Sequence, residues 1–191
     1  MTASQVVPTH LLTIDEYAAL GEDEHGRTEL MEGNLVMSPS PTPDHAVAAL
    51  ALAMQLIPQV PPVFEVIPAT DVDLQLVSPD VPGTVRRPDL LIVHRAARQR
   101  VRAHGGLLRA ADLLVAVEVV SPGSRRTDRI VKRAEYADAG IGHYWIVDLT
   151  KPATLTASHL VGDGYRDEPP AADTYTADEP FPVQLDLGRL G

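Results

Sequence analysis

The amino-acid sequence predicts an α/β chain, a sheet with helices packed on it, and three observations carry that reading. Residues 113–120, Leu-Leu-Val-Ala-Val-Glu-Val-Val, form one continuous apolar run of β-type residues, as in a strand buried on both faces. Residues 44–57 are alanine-rich and place Val47, Leu50, Met54 and Ile57 on one helical stripe, which predicts a helix lying on that sheet. Residues 128–139 give a second helix with the stripe Ile130, Ala134 and Ala137, stopped by Gly140. At 191 residues and 45% hydrophobic, the chain can bury one sizeable core but not two independent ones.

In chain order, residues 1–12 carry no usable pattern and read as a loose tail. Thr13-Ile-Asp-Glu16 is a capping box that opens a short helix through Leu20. After the polar stretch 21–26, residues 27–31 and 34–38 predict two strands joined at Glu32-Gly33, where glycine accepts a positive φ. Asp44 reads as the cap of the alanine-rich helix, with His45 in its first turn, and Pro58, Pro61 and Pro62 end it. Residues 63–67 and 71–76 follow as strands. In the second, Val72, Leu74 and Leu76 alternate with Asp71, Asp73 and Gln75, so alternation assigns both acids to solvent. Pro88-Asp89 opens the next strand, because proline cannot donate to a ladder.

Residues 95–104 have helical composition and Gly105-Gly106 stop them. Beyond the 113–120 strand, residues 121–124 form its exit loop and Thr127 reads as the cap of the following helix. Residues 143–149 are a strand whose bulky members, Tyr144 and Trp145, read as core or dimer-interface packing; with aromatics only 4% of the chain, a base-stacking platform is disfavoured. Past residue 150 the pattern weakens to a hairpin around Gly162-Asp-Gly164 and a proline-broken remainder.

The absence of cysteine excludes disulfides and thiolate metal sites and points to the cytoplasm. No run approaches the ~18 apolar residues of a membrane span, and no basic segment precedes an apolar one at the N-terminus. A net charge of −10 argues against coating nucleic acid by bulk electrostatics, since phosphate contacts need a basic surface. Basic residues nonetheless cluster twice. Arg95, Arg98, Arg100 and Arg102 read as a solvated helix face, whereas Arg125, Arg126, Arg129, Lys132 and Arg133 lie beside the Glu118 strand.

Glu118 stands between Val117 and Val119, and Asp89 opens another apolar run. An ionised carboxylate in such surroundings costs roughly several kcal/mol unless a cation faces it. Two acids so placed point to a divalent metal ion; the plainer alternative is that Glu118 pairs with a buried Lys or Arg.

Taken as an ordered set, several motifs resemble the Uma-type family of restriction-endonuclease-like proteins in the PD-(D/E)XK nuclease superfamily. They are Pro88-Asp89, the run from Glu118 to Lys132, Tyr136-Ala-Asp-Ala-Gly140 and Tyr144-Trp-Ile-Val-Asp148, with Glu29-Leu-Met-Glu-Gly33 and His45 upstream. The resemblance covers residues 13–150. It implies an α/β (α+β) restriction-endonuclease-like core, a mixed central sheet flanked by helices; it assigns no role to residues 151–191, which are read as a strand and loop extension of the same domain. It also implies Mg²⁺ or Mn²⁺ held by Asp89 and Glu118, with the Val119 carbonyl an extra ligand and Glu29 reaching the metal directly or through water. His45 would orient a water or phosphate from a helix N-terminus. The implied activity is a metal-dependent nuclease cutting phosphodiester bonds, in DNA rather than RNA, with Arg125, Arg126 and Arg129 binding the nucleic acid. A homodimer is implied as well, with the Tyr144-Trp145 strand one conceivable interface.

In a D/E-x-K arrangement the lysine falls at position 120, which here is Val120. Lys132 is expected to replace it from a flank of the following helix, and Lys132→Met is expected to stop cleavage and leave the fold intact. The competing expectation is a solvated Lys132 paired with Asp128. Two rival functions stand beside the nuclease: a nuclease-fold protein that no longer cuts and serves as a nucleic-acid-binding or regulatory partner, and a phosphohydrolase of small phosphate esters. The acids and Lys132 favour the enzyme, and the acidic balance favours the non-cutting module.

Overall fold

Strand alternation fixes which side each residue of the apolar run at 113–120 must cover, and the rest of the architecture follows from that strand. A computed structural model describes residues 10–20, 28–37, 40–121 and 123–191. The expected tail over 1–9, the polar stretch 21–26, the strand ends at Arg27 and Ser38, and Pro122 lie outside the described residues.

In chain order the elements are α1 (Ile14–Leu20), β1 (Thr28–Met31), β2 (Asn34–Met37), α2 (Pro43–Leu56), β3 (Phe64–Pro68), β4 (Val72–Asp73), β5 (Val85–Arg86), β6 (Leu90–His94), α3 (Arg95–His104), β7 (Leu108–Arg109) and β8 (Leu113–Val120). A π-helical segment (Thr127–Lys132) runs into α4 (Arg133–Asp138), followed by β9 (His143–Asp148), β10 (Thr154–Val161), β11 (Gly164–Asp167), β12 (Ala171–Ala172), β13 (Thr174–Ala177) and β14 (Val183–Asp186). The main sheet runs β11-β10-β9-β8-β6-β3, with β12 beside β10. It is mixed, because β8 and β9 pair in parallel while β6–β8, β3–β6 and β9–β10 are antiparallel. A smaller sheet, β2-β1-β5-β4-β7, lies beside it.

β8 is buried on both faces, as its composition requires. Val115, Val117 and Val119 join the core under α2, whereas Ala116 and Val120 join the opposite core with Tyr136 and Tyr144. Trp145 packs edge-on against Tyr175, 5.6 Å between centroids, so the aromatics of β9 are core residues on both faces rather than an interface. No helix among the described residues is long and apolar enough to cross a membrane.

Local chemistry accounts for several elements. Glu16 Oε2 accepts from the Thr13 amide at 2.8 Å and Thr13 Oγ1 accepts from the Glu16 amide at 3.3 Å, a reciprocal cap on α1. Glu32 and Gly33 both take positive φ, 48° and 80°, and Met31 faces Asn34, which makes a two-residue hairpin turn. A side chain at Gly33 would meet Pro82 and Leu11 at under 3 Å.

Other expectations are corrected. The amide of Leu12 bonds the Gly33 carbonyl at 2.8 Å and its side chain is buried, so residues 10–12 are tied into the small sheet. Thr42, not Asp44, caps α2, with Pro43 in the first helical position. The buried face of α2 is Ala48, Leu52 and Leu56; Val47, Leu50, Met54 and Ile57 point outward at 58%, 63%, 66% and 62% exposure. Asp71 is not solvated but holds Arg87 through two bonds of 2.7 and 2.8 Å. The proline-broken remainder is structured: β13 and β14 pair, and Phe181, Leu185, Leu187 and Leu190 complete the core over α2.

The inverted faces of α2 give a direct stability test. Leu52→Ala should cost about 2–5 kcal/mol in urea unfolding, whereas Leu50→Ala should change stability by no more than about 0.5 kcal/mol.

Candidate active site

Two neighbouring strands bring two carboxylates to one end of the main sheet. β6 and β8 pair Leu90 with Val117, so Asp89 and Glu118 stand opposite each other one step on. Asp89 Oδ2 accepts the Val119 amide at 2.7 Å and lies 3.0 Å from His45 Nε2, which the first turn of α2 delivers. Asp89 is thereby fixed from two directions.

Glu118 is 2% exposed. Its Oε1 accepts from Lys132 Nζ and from the Tyr136 hydroxyl, each at 2.9 Å. Lys132 also stands 3.0 Å from Glu29 Oε1 and 3.9 Å from Asp128 Oδ1. The helix reaches this geometry through its π segment, whose wider turns rotate each residue less than α-turns do. Asp128, Lys132 and Tyr136, four apart, fall on one buried face; of the expected stripe Ala137 is buried, while Ile130 and Ala134 are exposed. The cap also lies earlier than Thr127: Ser121 and Ser124 exchange amide-to-hydroxyl bonds of 3.0 and 3.2 Å at the start of the helix. Tyr144 donates to the Asp128 carbonyl at 2.8 Å and anchors the wide turn from below.

Four residues to which no site role was assigned from sequence, Arg86, Asp128, Glu135 and Tyr136, complete the network. Arg86, 2% exposed, donates to Glu29 Oε2 at 2.9 Å and grips Glu135 with two bonds of 2.6 Å. Tyr136 holds Glu118. The four-residue spacing of Asp128, Lys132 and Tyr136 was the available signal. Glu29 has both oxygens engaged, because the Arg87 amide adds a bond of 3.0 Å to Oε1. It is a buried internal partner rather than a solvent-facing hairpin residue.

Arg125 and Arg129 both approach Asp148 Oδ2, at 3.4 and 2.9 Å, and Arg133 pairs with Asp167, so much of that basic cluster is locally neutralised. Arg126 is exposed. In the other cluster Arg95 and Arg98 pair with Glu65 and Arg100 with Asp112.

The cleft is lined by four acids, Glu29, Asp89, Glu118 and Asp128, and by three permanent cations, Arg86, Arg87 and Lys132; Arg86 is also held by Glu135 and Arg87 by Asp71. Burial, reinforced by Asp89, Asp128 and Glu29 and opposed by Lys132, pushes Glu118 well above the usual carboxylate range. Burial also raises Asp128. For Glu29 burial is outweighed by Lys132 and Arg86, which hold it below its ordinary value. Burial alone would lower Lys132, but Glu118, Glu29 and Asp128 prevail and keep it protonated.

Among the described residues, Glu118 Oε2 and Asp89 Oδ1 receive no hydrogen bond, and both carboxylates line a cleft of about 390 Å³. No three His, Asp or Glu side chains among the described residues converge into a metal cage. Two hard oxygens suit an ion that keeps most of its water, as Mg²⁺ does when one or two carboxylates bind it.

Lys132 holds two buried acids, so its removal tests the network. Lys132→Met should destabilise the fold by about 3–5 kcal/mol, contrary to the expectation of an intact fold, and adding Glu118→Gln should recover part of that loss in urea titrations. Glu29 titrates below its unfolded value of about 4.3, so its stabilising contribution is full above that pH and fades as the pH falls through the folded value. Acid unfolding followed by circular dichroism should show this arm, and Glu29→Gln should remove it.

A family model described as "Putative restriction endonuclease" matches residues 14–188, further than the 13–150 that the sequence motifs cover. A crystal structure described as "a putative nuclease belonging to DUF820 from Anabaena variabilis ATCC 29413" superposes with a TM-score of 0.68 at 17% identity, covering 94% of this chain and 97% of that one. At that identity the likeness speaks for the fold, a mixed sheet flanked by helices. No curated protein matches the chain in sequence. Matched by its model over nearly the whole length, the chain belongs to the Uma2 restriction-endonuclease family.

Proposed function

We propose that the chain is a metal-dependent nuclease that hydrolyses phosphodiester bonds, a DNA endonuclease working with Mg²⁺ or Mn²⁺. The observation that carries the reading is the pair of open carboxylate oxygens, Asp89 Oδ1 and Glu118 Oε2, in a cleft where acids outnumber cations. Such a surplus favours an added cation, and the donor set is hard. When bound, the ion supplies charge stabilisation at the phosphate and a more acidic water.

The chain's own groups do the positioning. The Val119 amide and His45 fix Asp89, with the Val119 carbonyl a further oxygen on the same strand end. Tyr136 and Lys132 hold one oxygen of Glu118, and the other takes no hydrogen bond among the described residues. Lys132 keeps its charge beside Glu118, where a phosphate would carry developing negative charge. Glu29, committed to Lys132 and Arg86, positions the lysine rather than the metal. Arg125, Arg126 and Arg129 flank the cleft helix as phosphate contacts.

One observation favours the non-cutting reading: Lys132 is 7% exposed and already shared by two acids, as a purely structural lysine would be.

Titration calorimetry should detect Mn²⁺ binding that Asp89→Asn and Glu118→Gln each abolish, and His45→Ala should weaken it about 10–100-fold by freeing Asp89. Nicking of supercoiled DNA should require Mn²⁺ or Mg²⁺ and vanish in Asp89→Asn. Mn²⁺ binding without cleavage of DNA, RNA or small phosphate esters would establish the non-cutting module instead. Replacing Arg125, Arg126 and Arg129 by Ala should remove most DNA binding and flatten its salt dependence by a slope of roughly three; binding untouched by the triple change would place the nucleic acid elsewhere.

A further inference from the structure

Residues 45–57 contain no Asp, Glu, Lys or Arg, in a chain of which 22% is charged. A surface helix normally carries charge on its outer face, and one that is apolar all round is covered on both sides. The inner face of α2 is covered by the sheet through Ala48, Leu52 and Leu56. At ~100° per residue, Val47, Leu50, Met54 and Ile57 point opposite to those three. Each is more than half exposed.

Together they form a contiguous apolar patch of roughly 400 Å², the size at which patches on single proteins mark interaction sites. Their spacing of three, four and three residues reads the same in both directions. A second helix laid antiparallel across the first therefore sets Val47 against Ile57 and Leu50 against Met54, twice over, in the heptad spacing of a coiled-coil seam. This is the self-complementarity that a two-fold interface requires, since each patch must fit its own copy. The patch is also uncharged in a chain of net charge −10, so two copies meet there with the least repulsion.

We propose that the outward face of α2 is a homodimer interface in which two copies pair antiparallel about a two-fold axis near residue 52. Stripe on stripe removes roughly 800 Å² from water, and the intervening alanines allow close approach that adds to it. That area is below the roughly 1,200 Å² of stable standard-size interfaces, so the dimer is a reversible one. The pairing has a consequence for the cleft. His45 opens α2 and touches Asp89, so the two clefts lie at opposite ends of the helix pair, about 20 Å apart along its axis.

Sedimentation equilibrium on the full chain tests this independently of any activity. The unaltered chain should show a concentration-dependent monomer–dimer equilibrium. Leu50→Glu and Met54→Lys should each raise the dissociation constant roughly 30-fold or more, with the circular dichroism spectrum unchanged, because both side chains are exposed. The chain carrying both substitutions should dimerise again, since antiparallel register sets each new acid against the partner copy's new ammonium. A monomer at every concentration, a dimer indifferent to the single substitutions, open-ended association, or a double variant that stays monomeric would each overturn the proposal.

Discussion

The Lys132 ammonium, buried between Glu118 and Glu29, ties the two sheets to each other beside the apolar core that they share. Glu118 belongs to the main sheet, Glu29 to the small one, and Lys132 to the helix between them. A second fastening repeats the arrangement one turn on, where Glu135 of α4 receives Arg86 from β5. Desolvating these charges is expensive, and the pairs return that cost only because each member keeps several partners. What they contribute is a defined alignment more than stability: an apolar contact would tolerate sliding, and a two-point ionic one does not.

The same accounting explains the electrostatics of the cleft. Each cation is shared, so satisfying Glu29 leaves Lys132 less able to satisfy Glu118, and burial tips that residue toward its protonated form. Asp89 avoids the competition by taking a backbone amide and an imidazole instead. The site is thus uneven, with Glu29 fully engaged and Glu118 under-compensated although it is the more deeply buried of the two. An acidic molecule whose Arg125 and Arg129 are tied to Asp148 has little long-range pull on a polyanion, so recognition would act at short range.

Sequence alone revealed the parts of this arrangement that local chemistry determines. The buried strand with Glu118, the acid after Pro88, the capping box at Thr13 and the turn at Glu32-Gly33 each follow from a few adjacent residues. The faces of α2 were read inverted because the helix is apolar on both sides, and period analysis ranks large side chains above the alanine that packs closest to a sheet. Caps at Thr42 and Ser124 were displaced onto Asp44 and Thr127, since several good capping residues stand within three positions of each other. Arg86 was passed over because its strand is two residues long and leaves no period in the sequence. The C-terminal hairpin was hidden by prolines that bend its connection without breaking its strands.

The π segment at residues 127–132 amounts to one residue more than a regular helix of the same length would hold. Side chains four apart drift by about 40° a step round a regular helix, and the wider turn counters that drift between Asp128 and Lys132. A single insertion thus refines the aim of a covering element while every strand and both cores stay in place.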